Sequence, residues 1–115
     1  MKIKSILSSF FTHFFTKDLY NKTVFVNSLS DVPRNPQTDI YIVKNNDKQK
    51  WVVFACPNKC GKRIEVNLMQ SRQPFWLLKM KKKKVSLSPS IVVTDCGAHF
   101  WLRNNNVEWS FDSDN

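Results

Sequence analysis

The amino-terminal segment repeats apolar residues at steps of three and four, a spacing that places them on one face of a helix. The apolar positions are Ile3, Ile6, Leu7, Phe10, Phe11, Phe14, Phe15 and Leu19. The pattern predicts an amphipathic helix over residues 1–20 that either packs on the domain core or lies on a membrane surface or a partner protein. It is too short and too polar on one side to cross a bilayer, and no small-residue signal cleavage site follows.

After Tyr20 the pattern changes to short runs of β-branched and aromatic residues, separated by proline, asparagine and aspartate. We predict strands at residues 23–26, 39–43, 51–55, 63–68, 75–80, 85–87, 91–93, 100–103 and 107–111. Residues 21–111 are therefore predicted to form a mainly β domain of antiparallel sheet, with a polar tail at residues 112–115.

Two asparagine-rich segments, residues 45–47 and 104–106, are predicted to be hairpin turns. Asparagine and aspartate tolerate left-handed backbone better than other residues that carry a side chain. Residues 28–38 contain Pro33 and Pro36 and few apolar side chains, so we predict a loop there.

The cysteines and glycines of the chain fall together in a pattern that is typical of a zinc site. The only two glycines, Gly61 and Gly97, directly follow Cys60 and Cys96, and glycine suits the sharp turns that ligand loops need. Cys56 and Cys60 form one cluster, and Cys96 and His99 form the other. We predict that Cys56, Cys60, Cys96 and His99 bind a structural zinc ion, because four protein ligands leave no open position for water.

Two other interpretations of the cysteines remain open. They are three buried and unrelated thiols, or Cys56 and Cys60 form a disulfide and Cys96 is free. The odd number of three cysteines argues against a closed extracellular disulfide framework and favours a reducing cytoplasm.

The chain carries 18 lysines and arginines against 9 acidic residues, a formal net charge of +9. This excess favours acidic partners of any kind: nucleic acid, an anionic membrane or an acidic protein. The densest basic patch comprises Lys79, Lys81, Lys82, Lys83 and Lys84. It is either an exposed hairpin tip or a contact for phosphate or acidic protein. Phe75, Trp76, Trp101 and Trp109 either stack on nucleic-acid bases or belong to the core.

Few residues are available for catalysis, since His13 and His99 are the only histidines. A serine-rich segment, Ser86 to Ser90, leads by one predicted strand to Cys96, so a serine hydroxyl could lie near the metal site. If another group completes the zinc shell, His99 is free to act as the base for Ser88 or Ser90, with Glu65 or Asp95 orienting it. Otherwise these serines bond the backbone of a turn.

One ordered string of residues resembles a bacterial family of small domains of unknown function. The string comprises residues 41–42, 51–54, 56–57, 60–61, 66–68, 85–91, 96, 99–102 and 107–109. The resemblance covers roughly residues 29–110. Members of that family are often encoded beside ubiquitin-like proteins and their activating and conjugating enzymes, in operons that look like antiphage defence systems.

The resemblance implies a zinc-containing accessory protein of a bacterial ubiquitination-like pathway, a peptidase that processes or deconjugates the modifier. It implies a serine-type active site at Ser88 or Ser90, with His99. The chain departs from the commoner pattern in lacking an additional cysteine between Cys56 and Cys60, which makes His99 more necessary as a ligand. Its expected partners are the ubiquitin-like protein or its conjugates and the activating or conjugating enzymes.

Two hypotheses follow from the sequence. The first is a zinc-stabilised hydrolase of ubiquitin-like conjugates with Ser90 or Ser88 as nucleophile. The second is a non-enzymatic adaptor that presents the lysine run and the hydrophobic helix to an acidic protein, a membrane surface or nucleic acid.

Overall fold

The computed structural model describes residues 20–58 and 60–110, and all of the predicted strands are present in that part of the chain. The prediction of a mainly β domain is confirmed. The predicted helix at residues 1–20 and the tail at residues 112–115 lie outside the described residues, apart from Tyr20, so the domain limits stay predictions.

The larger sheet has four strands in the order β1, β2, β3, β4. They are β1 (Thr23–Val26), β2 (Ile40–Asn45), β3 (Lys48–Ala55) and β4 (Arg63–Asn67). β2 to β4 pair antiparallel, as expected, whereas β1 pairs parallel to β2. Two parallel neighbours need a long connection, and residues 27–39 supply it, with a short 3-10 helix at Leu29–Asp31.

The second half of the domain consists of a hairpin and a three-stranded sheet. The hairpin comprises β5 (Leu77–Lys81) and β6 (Lys84–Ser88). The sheet comprises β7 (Ile91–Val93), β8 (Ala98–Arg103) and β9 (Asn106–Trp109), in the order β9, β8, β7. β6 also packs along β8, so the hairpin and the three-stranded sheet together make the second layer of the domain, although no strand pairing joins them in the described part of the chain.

Both predicted asparagine turns are confirmed, since Asn46, Asn104 and Asn105 have positive φ. Asn105 is also buried, at 2 % exposure, and it forms hydrogen bonds to another strand. Its Oδ1 accepts a hydrogen bond of 2.8 Å from the backbone N–H of Val85, and its own N–H donates to the Val85 carbonyl at 2.9 Å. One asparagine thus joins the β8–β9 turn to the start of β6.

The core lies between the two layers and is centred on Phe54 and Phe100, whose rings meet edge to face at 6.4 Å. Tyr20 packs against Phe54 and donates a hydrogen bond of 2.6 Å from its hydroxyl to the Ala55 carbonyl. Because the strands alternate buried and exposed residues, the outer faces of β6 and β8 are left for polar side chains. Across residues 20–58 and 60–110, no helix has the length and hydrophobicity needed to span a membrane.

Candidate functional site

The three cysteines come together from two distant parts of the chain. Cys56 directly follows β3, Cys60 lies in the loop before β4, and Cys96 lies in the turn between β7 and β8. The Sγ atom of Cys96 is 3.8 Å from that of Cys56 and 3.4 Å from that of Cys60. All three sulfurs lie within 4.8 Å of one another. The turns at Gly61 and Gly97 have positive φ, at 57° and 76°, as sharp ligand loops require.

The sulfur cluster fits a zinc ion better than it fits a disulfide. Zinc–sulfur bonds of about 2.3 Å in a tetrahedron place the sulfurs about 3.8 Å apart, near the separations seen here. All three thiols are free, so the alternative pairing of Cys56 with Cys60 is absent. Burial and the neighbouring sulfurs raise the pKa of Cys56 to about 12. A cation in the cluster would favour the thiolate and offset that cost.

His99 is not part of the sulfur cluster. Among the described residues, the group of side chains placed to bind a metal consists of the three cysteines. The Nε2 atom of His99 instead lies 2.8 Å from the Oγ atom of Ser90. Of the four predicted ligands, the structure brings the three cysteines together and places His99 beside Ser90. The contact matches the alternative in which His99 serves Ser90 rather than zinc.

Local structure explains how Ser90 and His99 meet. Ser90 directly precedes β7, and His99 is the second residue of β8, opposite Val92 in the antiparallel register. The Ser90 carbonyl accepts a hydrogen bond of 3.2 Å from the indole N–H of Trp76. Both members of the pair are partly buried, which shields their contact in part from bulk water. A histidine nitrogen at this distance can remove the serine proton.

The sulfur cluster and the serine–histidine pair share the turn between β7 and β8. Cys96 lies in that turn, and the N–H of Gly97 donates a hydrogen bond of 2.7 Å to the Val93 carbonyl. His99 follows Cys96 by three residues, on the strand that leaves the turn. A metal bound at Cys96 would therefore hold the register that brings His99 to Ser90.

The other predicted site residues lie apart from this pair. Ser88 is exposed on the outer face of β6, opposite Leu77 in the hairpin register. Glu65 accepts a hydrogen bond of 2.8 Å from Arg63, and Asp95 forms an ion pair with Lys62. Neither carboxylate is therefore placed as the orienting group that the sequence suggested. The Lys62–Asp95 ion pair instead adds a link between the loop before β4 and the β7–β8 turn.

A groove of about 540 Å³ runs along the outer face of β6 and β8. We call it the β6–β8 groove. Six of the side chains that line it are Leu77, Lys79, Ser86, Ser88, Trp101 and Arg103. The guanidinium of Arg103 lies over the Trp101 ring, 4.5 Å from its centre. No sequence pattern indicated the groove, because it depends on how the hairpin packs against β8.

The lysine run forms the exposed tip of the β5–β6 hairpin. Lys82 and Lys83 occupy the turn with positive φ, and Lys79, Lys81, Lys82, Lys83 and Lys84 are exposed. Among the four aromatic candidates, Phe75, Trp76 and Trp101 are half-buried, and Trp109 is 42 % exposed while its ring meets Phe100 edge to face.

Comparison with known proteins agrees with the earlier resemblance. A family model described as bacterial ubiquitination-like system serine protease (BubE) matches residues 25–110. That span contains the sulfur cluster, Ser90, His99 and the whole β6–β8 groove. No curated protein and no solved structure matches the chain.

Proposed function

The chain belongs to the family of bacterial ubiquitination-like system serine proteases, and from that premise we propose that Ser90 and His99 are its catalytic pair. The proposed substrate is the ubiquitin-like modifier of such a system, cleaved from a precursor or from a conjugate. The observation that carries the proposal is the 2.8 Å contact between Ser90 Oγ and His99 Nε2. The other candidate, Ser88, makes no such contact with His99 among the described residues.

The contact supports a two-step acyl transfer. Ser90 Oγ attacks the carbonyl carbon of the scissile bond while His99 Nε2 accepts the hydroxyl proton. Collapse of the tetrahedral intermediate breaks the C–N bond, and His99 returns the proton to the leaving amine. His99 then removes a proton from water, which attacks the acyl ester and restores the Ser90 hydroxyl. In the reactive tautomer the imidazole proton is therefore on Nδ1.

Trp76 anchors the backbone of the proposed nucleophile. Its indole N–H anchors the Ser90 carbonyl at 3.2 Å, and the ring packs against the main core. A serine that reacts through a fixed geometry benefits from such an anchor, since small displacements slow a reaction strongly. Trp76 is in this account a positioning residue rather than a catalytic one.

The three cysteines would hold a zinc ion that is structural in this account. When bound, the ion would crosslink the loop before β4 to the β7–β8 turn and neutralise thiolate charge. The chain's own residues carry out the chemistry, while the cluster maintains the register between Ser90 and His99. Activating or conjugating enzymes of the same pathway are proposed as further partners.

Cleavage of a modifier fusion tests the proposal. The substrate is the system's ubiquitin-like modifier with a reporter protein joined to its carboxyl terminus. Ser90→Ala is expected to lower the cleavage rate by at least about a thousandfold, with unchanged circular dichroism and zinc content. Ser88→Ala removes the other candidate nucleophile and is expected to keep a cleavage rate far above that of Ser90→Ala, with its effect confined to KM because Ser88 lines the β6–β8 groove. Full activity of Ser90→Ala would overturn the proposal.

A further inference from the structure

We propose that the β6–β8 groove binds an extended peptide segment of the substrate, with an apolar side chain nearest the reactive bond and an acidic one two residues further away. This inference rests on the proposed function for the identity of the reacting pair. It goes beyond it in naming what the enzyme recognises beside the bond that it cuts.

The groove lies beside the proposed catalytic pair, on the same face of β8 as His99. β6 and β8 run in opposite directions, since the backbone N–H of Asn104 donates to Ser86 Oγ at 2.9 Å, while Ser90 meets His99 further along. On β8, the side chains of His99, Trp101 and Arg103 follow one another on the same face. Trp101 and Arg103 line the groove, so the groove lies on the same face of β8 as His99 and extends along the strand away from it.

The spacing of the lining side chains matches that of an extended peptide. Alternate residues of a strand lie about 6.6–6.8 Å apart, so Trp101 and Arg103 stand one and two such steps from His99. On the hairpin side of the groove, Leu77 and Lys79 of β5 are in register with Ser88 and Ser86 of β6. The groove thus offers two successive levels, one formed by Leu77 and Trp101 and one by Lys79 and Arg103.

The nearer level is apolar and open. Leu77 is 55 % exposed, which leaves an aliphatic side chain in water beside the half-buried Trp101 ring. Covering such a side chain with an apolar residue is favourable, because it removes apolar surface from water. We therefore expect an apolar substrate side chain to bind between Leu77 and Trp101.

The farther level carries positive charge. Lys79 and Arg103 are the only charged side chains that line the groove among the described residues. Glu108 forms an ion pair with Arg103 at 2.9 Å and balances part of its charge, so Lys79 contributes most of the excess. The lysine tip of the same hairpin extends this positive field. Charge complementarity therefore favours an acidic side chain at this level.

Peptide binding to the Ser90→Ala variant tests the inference without cleavage. The probe is a fluorescein-labelled eight-residue peptide in which leucine and aspartate alternate at every second position with serine between them, so that both face the groove in an extended chain; binding is followed by fluorescence anisotropy at low salt. A second peptide has lysine in place of each aspartate. Lys79→Glu is expected to weaken binding of the aspartate peptide about tenfold and to strengthen binding of the lysine peptide. Leu77→Ser is expected to weaken both.

Matched variants outside the groove separate local contacts from general effects. Lys48→Glu makes the same charge change on β3, and Phe25→Ser removes another exposed apolar side chain, one that is 50 % exposed on β1. Both are expected to bind the aspartate peptide like the parent.

Several results would overturn the inference. One is the absence of saturable binding below millimolar peptide. Another is an equal effect of Lys79→Glu and Lys48→Glu on binding. A third is a thymidine oligonucleotide that binds as tightly as the peptide and whose affinity is unchanged by Leu77→Ser. A dimer in light scattering that Leu77→Ser dissociates would assign the groove to a second copy of the chain.

Cleavage assays distinguish failure of this inference from failure of the proposed function. If Ser90→Ala abolishes modifier cleavage while Lys79→Glu and Leu77→Ser leave KM and peptide binding unchanged, only the groove assignment is wrong. If peptide binding depends on Lys79 and Leu77 while Ser90→Ala still cleaves, only the catalytic assignment is wrong.

Discussion

Cys96 and His99 lie three residues apart, yet their side chains belong to different clusters. Cys96 Sγ is 3.4 Å from Cys60 Sγ, whereas His99 Nε2 is 2.8 Å from Ser90 Oγ. The short interval includes the β7–β8 turn at Gly97 and the first residue of β8. A metal held by the sulfurs would therefore be linked to the Ser90–His99 contact through one turn.

Removing the metal should lower stability and activity together. At free zinc a thousandfold above Kd, the ion is expected to contribute about 4 kcal/mol to the free energy of unfolding. Chelation, or Cys96→Ser, is therefore expected to lower Tm by more than about 10 °C in a domain of this size. Differential scanning calorimetry checks this. The control is Asp95→Asn, which removes only an exposed ion pair and should leave Tm unchanged. An equal Tm with and without chelator would contradict the zinc assignment.

Zinc affinity should rise with pH. Burial holds the Cys56 thiol protonated at neutral pH, since its pKa is raised to about 12, and zinc must displace that proton. Each displaced proton makes the dissociation constant fall about tenfold for each pH unit. Competition with a chromophoric chelator at pH 6 and pH 8, corrected for the chelator's own protonation, measures the slope. A pH-independent affinity would show that thiolates are not the ligands.

Asn105 should be needed for stability rather than for chemistry. Asn105→Ala removes the acceptor of the Val85 N–H and places alanine at a φ of 67°. We expect a loss of about 2–3 kcal/mol in the free energy of unfolding, measured by urea denaturation. Asn104→Ala is the matched control: this exposed neighbour has a φ of 51°, and its N–H bond to Ser86 survives the change. Equal losses in the two variants would show that backbone strain alone explains the effect.

Trp76 should act on the position of Ser90. Trp76→Phe keeps an aromatic ring in the core but removes the indole N–H that anchors the Ser90 carbonyl. We expect kcat for the modifier fusion to fall about tenfold, with KM nearly unchanged, because the lost contact orients the nucleophile. Steady-state kinetics beside a thermal melt separate the two effects. A change confined to Tm would leave Trp76 with a purely structural role.

Local patterns in the chain predicted most of the fold. Runs of β-branched and aromatic residues marked the strands, and the asparagines at residues 46 and 104–105 marked two of the turns, because both signals arise from neighbouring residues. The parallel pairing of β1 with β2 was not predicted, since it depends on the path of the long connection between them.

The candidate site was predictable in its components but not in its grouping. The spacing and the glycines predicted the grouping of Cys56, Cys60 and Cys96, whose sulfurs lie together in the structure. His99 was placed with them by its nearness to Cys96, although alternation along β8 turns it toward Ser90 on the outer face. The Trp76 anchor and the groove had no sequence signal, because each arises from contacts between elements that are distant in the chain.

The reactivity of Ser90 tests the central claim most directly, because it requires no knowledge of the natural substrate. Fluorophosphonates react with serine hydroxyls that a neighbouring base activates, and mass spectrometry of the digested protein locates the adduct. The account predicts one adduct on Ser90 that disappears in His99→Gln and persists in Ser88→Ala. An adduct on Ser88, or labelling of Ser90 that is unchanged without His99, would contradict it.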